Sequence, residues 1–262
     1  MNYEEIQPNS RLRAYARGQL AGVWGETALT YFIFFLIFLP YNIFSSLTSI
    51  INTVDKYDFL SDYADSLIDF LDTFLPEIII QLFPTINGVL SIAAAVVTGP
   101  FALGFAGYFL IRVRGGGIEI KNIFGGFNHF SRSFLVWLLT QIFTFLWSLL
   151  LVIPGIVKAL AYSMAYYIMY DNPEIRPLEA IRKSQIMMKG YKFKLFLLYL
   201  SFIGWGLLCL LTLGIGFLWL YPYMYLTTAN FYENLKRNQE NNQAANPAAK
   251  QAKPPIDLFQ ST

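Results

Sequence analysis

The chain has 262 residues, of which 55% are hydrophobic and 18% aromatic, while only 14% are charged. A soluble protein carries about 25% charged residues, so the composition excludes an ordinary water-soluble domain. The net charge of +2 gives no reason to expect a nucleic-acid partner, and a single Cys and a single His exclude a disulfide framework or a metal site built from them. The fold class that we expect is an all-α, polytopic membrane helical bundle.

Residues 1–27 form a polar and basic segment, which we expect to lie at the cytoplasmic membrane interface. The membrane domain is expected over residues 28–233. A hydrocarbon core about 30 Å thick needs roughly 20 apolar residues per helix. Six runs are candidates, at about 28–50, 86–112, 134–153, 156–170, 195–213 and 215–231. The simplest arrangement is six transmembrane helices as three hairpins, each preceded by a short interfacial helix.

The basic residues alternate with these runs. Of the 19 Lys and Arg residues, all but Lys56 and Lys158 lie within 11–17, 112–132, 176–194 and 236–253, so every second connecting segment carries little positive charge. Lys and Arg flanking membrane helices are retained on the cytoplasmic side. The pattern therefore predicts a multi-pass protein of the cell membrane with both termini in the cytoplasm.

A row of carboxylates lies between the first two runs, in an extracellular amphipathic helix expected at about 55–76. Its members are spaced by three and four residues, which places them on one helix face: Asp58, Asp62, Asp65, Asp69 and Asp72. One interpretation is a face that captures cations, and the other is a solvated surface. No EF-hand spacing is present, so we expect no tight calcium site.

Helix breaks are predicted where Pro or Gly interrupts or separates the apolar runs, at Gly99, Pro100, Pro154, Gly155 and Pro222. Residues 153–156 and 213–216 are expected to form the turns of two tight hairpins. A broken helix at Gly99-Pro100 would suit a transporter binding site. Close helix packing is the other explanation.

Lys158 is an ionisable residue inside an apolar run. Such residues often mark functional sites in membrane proteins. A polar path through Lys158, Tyr162, Ser163 and Tyr166 is one hypothesis, because residues 158, 162 and 166 share a helix face. The other is that the long Lys158 side chain extends to the headgroups.

The end of the chain, residues 234–262, is rich in Asn, Gln, Ala and Lys and is expected to be a disordered cytoplasmic tail. No nucleotide loop, zinc-protease motif or catalytic triad is present along the sequence. We therefore expect no enzyme activity, no cofactor and no metal. The partners that we expect are membrane lipids, with other membrane proteins as a further class.

Several motifs resemble a bacterial membrane-protein family catalogued as domain of unknown function 975. They are Ile153-Pro154-Gly155-Ile156-Val157-Lys158-Ala159, Asp171-Asn172-Pro173-Glu174, Leu200-Ser201-Phe202-Ile203-Gly204-Trp205 and Gly214-Ile215-Gly216. The resemblance extends over about residues 11–234 and implies a six-span integral protein with no established activity. Two functions follow from the whole sequence: a non-catalytic membrane scaffold or regulator, and alternatively a small-solute or lipid transporter that uses the path near Lys158.

Overall fold

The computed structural model describes residues 7–54 and 77–245, and these ranges contain helices and no strand. The helices are α1 (Asn9–Leu20), α2 (Trp24–Val54), α3 (Glu77–Val113), α4 (Phe130–Leu150), α5 (Val152–Tyr162), α6 (Ala165–Asp171), α7 (Pro177–Met187), α8 (Lys192–Leu200), α9 (Ile203–Leu211) and α10 (Phe217–Ala245). A 3₁₀ helix, Ile120–His129, precedes α4. The predicted acidic helix at 55–76, with Asp58, Asp62, Asp65, Asp69 and Asp72, lies outside the described residues.

Five stretches are long and apolar enough to cross a membrane: Trp24–Ser46, Pro84–Val113, Ile120–Leu150, Val152–Asp171 and Lys192–Leu211. They overlap the first five predicted runs over most of each run's length. The sixth run, 215–231, is helical within α10 but is not among the five. Thr227, Thr228 and Asn230 make this part of α10 more polar, and all three are buried against other helices.

The core forms around α3 and α10, which contact each other and α2. Helix α3 also packs against the 3₁₀ helix, α4 and α6. Aromatic rings fill the junction of α2 and α3, where Phe34 meets Phe101 and Phe105 edge-on at centroid distances of 5.3 and 5.0 Å. The outer surface is apolar over α4 and the α4–α5 connection, where Phe145, Leu149 and Ile153 are exposed.

Glycines allow α3 to approach the 3₁₀ helix and α4 closely. A Cβ atom on Gly104 would overlap the backbone carbonyl of Ile123, and one on Gly126 would overlap that of Pro100. A Cβ atom on Gly99 would come within 2.6 Å of the Ser133 carbonyl oxygen. Backbone-to-backbone contact of this kind is the role of small residues at helix interfaces in membranes.

The predicted helix breaks are wrong in three places. Helix α3 continues through Gly99 and Pro100, and α10 continues through Pro222. Membrane helices tolerate such prolines because neighbouring groups satisfy the freed backbone atoms. Pro154 and Gly155 lie in the first turns of α5, where proline needs no intrahelical N–H bond. The actual break before α5 is at Leu151, whose backbone is extended (φ −163°, ψ 147°).

The second predicted turn, 213–216, does separate two helices, α9 and α10. Gly214 has φ +86°, a left-handed conformation that glycine adopts without strain. Leu213 also has a positive φ of 51°, and its side chain is 95% exposed. An apolar turn of this kind is expected to lie against lipid.

Residues 234–245 correct the prediction of a disordered tail, because α10 continues to Ala245. Leu235 is fully buried and Asn238 nearly so. The Asn234 side-chain oxygen accepts a hydrogen bond from the Gln7 backbone N–H at 3.1 Å. The composition of this segment predicted disorder, but its residues contact the rest of the bundle and the segment is helical. Residues 246–262 lie outside the described part of the chain.

The N-terminal boundary also differs from the prediction. Helix α1 lies within residues 1–27 and buries Leu12, Ala16 and Leu20, which are spaced by four residues along one face. Helix α2 begins at Trp24 rather than at residue 28. A turn at Gly22, with φ +84°, connects the two helices.

Candidate functional site

The segments that carry the basic residues meet at one end of the bundle, here called the basic end. The Arg112 Nε donates a hydrogen bond of 2.7 Å to the backbone oxygen of Gln19. The Asn9 side-chain nitrogen donates to the Lys194 backbone oxygen at 3.0 Å. These contacts join the N-terminal, second and third basic segments. The basic segments that alternate with the apolar runs along the sequence therefore lie close together in space.

Five side chains form an ion-pair network at this end, here called the Asp171 cluster: Arg114, Asp171, Tyr232, Glu233 and Lys236. The Asp171 carboxylate, with its side chain 8% exposed, lies 2.8 Å from the Arg114 guanidinium and 2.7 Å from the Lys236 ammonium. The Tyr232 hydroxyl donates to Asp171 at 2.9 Å. Arg114 Nε also donates to Glu233 at 2.7 Å. The cluster therefore ties the C-terminal ends of α3 and α6 to the interior of α10.

The charges of the cluster stabilise one another. Burial lowers the pKa of the Arg114 guanidinium, but its hydrogen bonds to Asp171 and Glu233 outweigh burial, and the pKa is raised overall. Burial, followed by the negative charge of Asp171, raises the pKa of the Tyr232 hydroxyl. The Tyr232 hydroxyl therefore stays protonated and donates a hydrogen bond to the Asp171 carboxylate.

In the sequence, Asp171 stood out only as part of the motif Asp171-Asn172-Pro173-Glu174, and this network was missed. Asp171 does end α6, but its carboxylate is also the centre of the cluster. The signal was present, since Asp171 and Glu233 are acidic residues beside segments rich in Lys and Arg. Charge sign alone does not identify which pairs meet, because the partners lie 57 and 65 residues away along the chain.

A second candidate site is a cavity of about 310 Å³ between α3, α6, α8 and α10, here called the tyrosine cavity. Its lining consists mainly of hydroxyl-bearing and small side chains: Ala102, Ala106, Ser163, Tyr166, Tyr167, Tyr199, Tyr221, Met224, Tyr225 and Thr228. A similar volume lies at the basic end beside Asp171, Lys183 and Lys236. The stacked rings of Tyr167 and Tyr232, 5.3 Å apart, connect the linings of the two cavities.

The tyrosine cavity is an open space of about 310 Å³, and one of its lining residues, Tyr225, is 38% exposed. Small residues on α3 keep the space open, because Ala102 and Ala106 face the tyrosines of α6 and α10. A cavity lined by hydroxyls and aromatic rings suits a molecule that is partly polar and uncharged.

The predicted polar path is divided in the structure. Ser163 and Tyr166 line the tyrosine cavity, whereas Lys158 and Tyr162 do not. The Lys158 ammonium lies 4.4 Å from the centre of the Trp147 ring, a cation–π contact. Tyr162 is buried and packs near Phe143. The helix face does not continue because α5 ends at Tyr162 and α6 begins at Ala165.

Ser184 on α7 explains this interruption, and sequence reasoning did not identify it as important. Its fully buried hydroxyl donates to the Ala161 backbone oxygen at 2.7 Å and accepts from the Met164 backbone N–H at 3.1 Å. The hydroxyl thus satisfies backbone groups on both sides of the break. Helix α7 begins at Pro177 and buries Ser184 together with Ala180 and Ile181.

The part of the chain at 7–54 and 77–245 contains no group of three His, Cys, Asp or Glu residues placed to hold a metal ion. The helical architecture and the five apolar stretches of spanning length indicate the class of helical membrane proteins.

Comparison with known families gives a more specific result. Residues 148–239 match the family described as "Protein of unknown function (DUF975)". The match confirms the predicted resemblance over about a third of the chain, from the end of α4 into α10. A search of curated proteins and a search of solved structures each found no match.

Proposed function

We propose that the protein is a six-span integral protein of the bacterial cell membrane that acts as a non-catalytic scaffold or regulator. Its partners in this proposal are membrane lipids and other membrane proteins, and it binds no nucleic acid. Both termini and the basic end face the cytoplasm, because Lys and Arg flanking membrane helices are retained there. Helix α10 supplies the sixth span, with residues 215–231 in the bilayer.

The observation that carries this proposal is the construction of the basic end. Helix α1 packs against α10, the 3₁₀ helix against α3, and α7 against α4, α5 and α6, while the Asp171 cluster joins the ends of α3 and α6 to α10. Arg17, Lys121 and Lys189 remain exposed there. Each Lys or Arg near an anionic leaflet contributes about 1 kcal/mol to membrane attraction. A braced, basic surface of this kind suits a role in organising lipids or neighbouring proteins.

A transporter of a small solute or lipid is the second candidate, and the tyrosine cavity is the observation that favours it. The cavity includes Ser163 and Tyr166 from the predicted path. Lys158 is engaged by Trp147 instead, so the charged residue is not part of the same lining. The scaffold is preferred because a transport route through Lys158 would need this side chain to leave Trp147.

Topology is tested by labelling single cysteines on intact cells with a membrane-impermeant thiol reagent. The background variant Cys209→Ala removes the one native thiol. We expect Asp65→Cys to react on intact cells and Lys189→Cys to react only after permeabilisation. The opposite labelling pattern would reverse the proposed orientation.

The scaffold role is tested by crosslinking in living cells. A photo-crosslinking residue placed at Lys189, which is exposed at the basic end, is expected to capture reproducible protein neighbours. The matched position is Leu207, which is exposed on the apolar surface of α9 and is expected to capture mainly lipid. Capture of lipid alone at both positions would contradict the role in binding proteins.

A further inference from the structure

The lining of the tyrosine cavity selects against charged molecules. None of its ten lining residues is a Lys, Arg, Asp or Glu. An ion placed there would lose its hydration without gaining a counter-charge, which is strongly unfavourable. Tyrosine, serine and threonine hydroxyls both donate and accept hydrogen bonds. The chemistry therefore suits an uncharged molecule with polar groups.

Four of the hydroxyls are available to such a molecule. Ser163 donates to the Leu160 backbone oxygen at 2.8 Å, and Tyr199 is hydrogen-bonded to Thr228. Within the described part of the chain, no hydrogen bond is made by the hydroxyls of Tyr221 and Tyr225 on α10 or by those of Tyr166 and Tyr167 on α6. Uncommitted donors in a membrane interior favour a ligand that carries acceptors.

The position of the cavity indicates how a molecule would reach it. Tyr225, one of the lining residues, is 38% exposed, so the cavity is open at this residue. It lies eight residues before Glu233 on α10, which corresponds to about 12 Å along the helix from the Asp171 cluster. This depth lies within one half of a hydrocarbon core about 30 Å thick. The cavity is therefore reached from the lipid phase.

We propose that the tyrosine cavity binds a neutral, membrane-dissolved lipid whose head carries carbonyl acceptors. A quinone ring and the ester groups of a diacylglycerol both supply this chemistry. Tyr166, Tyr221 and Tyr225 donate to the carbonyl oxygens, and the apolar tail leaves between the helices beside Tyr225. The proposal rests on the membrane location given above and requires neither the scaffold nor the transport role.

The test uses the full chain in lipid nanodiscs and measures saturable binding of two radiolabelled probes, a decyl-substituted benzoquinone and dioctanoylglycerol. Nanodiscs without protein correct for partition into lipid. Dioctanoyl phosphatidate is the charged comparison. We expect at least one neutral probe to bind saturably, and at least tenfold more tightly than the phosphatidate. The two neutral probes distinguish a ring head from a glycerol head.

Two kinds of variant locate the binding. Ala102→Leu fills the cavity from α3 and is expected to weaken binding at least tenfold, whereas Ala93→Leu adds the same atoms at an exposed position of α3 and leaves binding unchanged. Tyr166→Phe keeps the ring and removes one hydroxyl, and is expected to weaken binding about three- to tenfold. Its control is Tyr15→Phe, which lies on the exposed surface of α1.

Several outcomes would overturn the assignment. They are an absence of saturable binding for both neutral probes, equal or tighter binding of phosphatidate, and equal affinities of the Ala102→Leu and Ala93→Leu proteins. If Ala102→Leu does not fold, the hydroxyl deletion at Tyr166 decides in its place. If the binding test fails while the cysteine labelling on cells gives the expected pattern, the proposed ligand is refuted and the proposed membrane topology is not.

Discussion

Replacing Asp171 with Asn removes a buried charge and keeps nearly the same shape. The carboxylate has ionic partners at 2.8 Å on Arg114 and 2.7 Å on Lys236, and it accepts a hydrogen bond from Tyr232. Breaking a buried ion pair by removing one partner costs about 3–5 kcal/mol. The Arg114 and Lys236 side chains are about a third exposed, so water replaces part of the lost interaction.

Two further contacts reduce the cost. Arg114 retains Glu233, and the amide oxygen introduced at position 171 still accepts from Tyr232. We therefore expect a loss of about 2–3 kcal/mol, from two weakened charged hydrogen bonds of about 1.5–3 kcal/mol each. At about 2–4 °C per kcal/mol for a protein of this size, the melting temperature should fall by about 4–12 °C.

The assay is thermal unfolding of the purified protein in nanodiscs, followed by circular dichroism. Glu174→Gln is the matched control, because it is also an acid-to-amide change at the basic end, where Glu174 pairs with Arg132 on the surface. The Glu174 side chain is exposed, and we expect no measurable change in its melting temperature. Equal melting temperatures for the Asp171→Asn and Glu174→Gln proteins would refute the argument that the cluster braces the bundle.

Further predictions concern backbone contacts and Lys158. Gly126→Ala should prevent stable folding, because its Cβ overlaps the Pro100 carbonyl, whereas Gly125→Ala, which meets nothing within 4 Å, should yield normal amounts of protein in membranes. Equal yields would show that the close contact is not required. Ser184→Ala should lower the free energy of unfolding by about 1–3 kcal/mol in a denaturant titration, since a buried backbone N–H loses its partner, and an unchanged midpoint would contradict this role. Lys158→Leu should leave lipid-probe binding to the tyrosine cavity unchanged, and weaker binding would restore the predicted polar path.

The positions of the helices could be predicted because they depend on local composition. Apolar runs of spanning length are visible along the chain, and the turn at 213–216 follows from adjacent glycines. The effects of Pro100 and Pro222 could not be predicted in the same way. Whether a proline interrupts a membrane helix depends on which neighbouring groups satisfy the backbone, and these belong to distant segments.

Polarity along the chain was also an incomplete guide to burial. Residues 234–245 have the composition of a disordered tail, yet Leu235 and Asn238 are buried in the extended α10. Thr227 and Asn230 lower the hydropathy of the same helix and are buried as well. A central helix that is covered by its neighbours does not need to be apolar on every face. The hydropathy of that segment alone therefore underestimates how much of the helix is buried.

The tyrosine cavity shows most clearly why sequence reasoning found only part of the site. Ser163 and Tyr166 were singled out because they follow Lys158 at helical spacing, and the structure does place them in a common lining. Their partners Tyr199, Tyr221 and Tyr225 come from two other helices, α8 and α10. Lys158 was the starting point of the predicted path because it is an ionisable residue in an apolar run. The path also required one uninterrupted helix, and the buried Ser184 hydroxyl lies at the α5–α6 break that removes this continuity. The prediction was centred on a charged residue, Lys158. The lining of the cavity instead consists of uncharged residues, several of which carry hydroxyls. This chemistry suits recognition of a neutral molecule rather than of an ion.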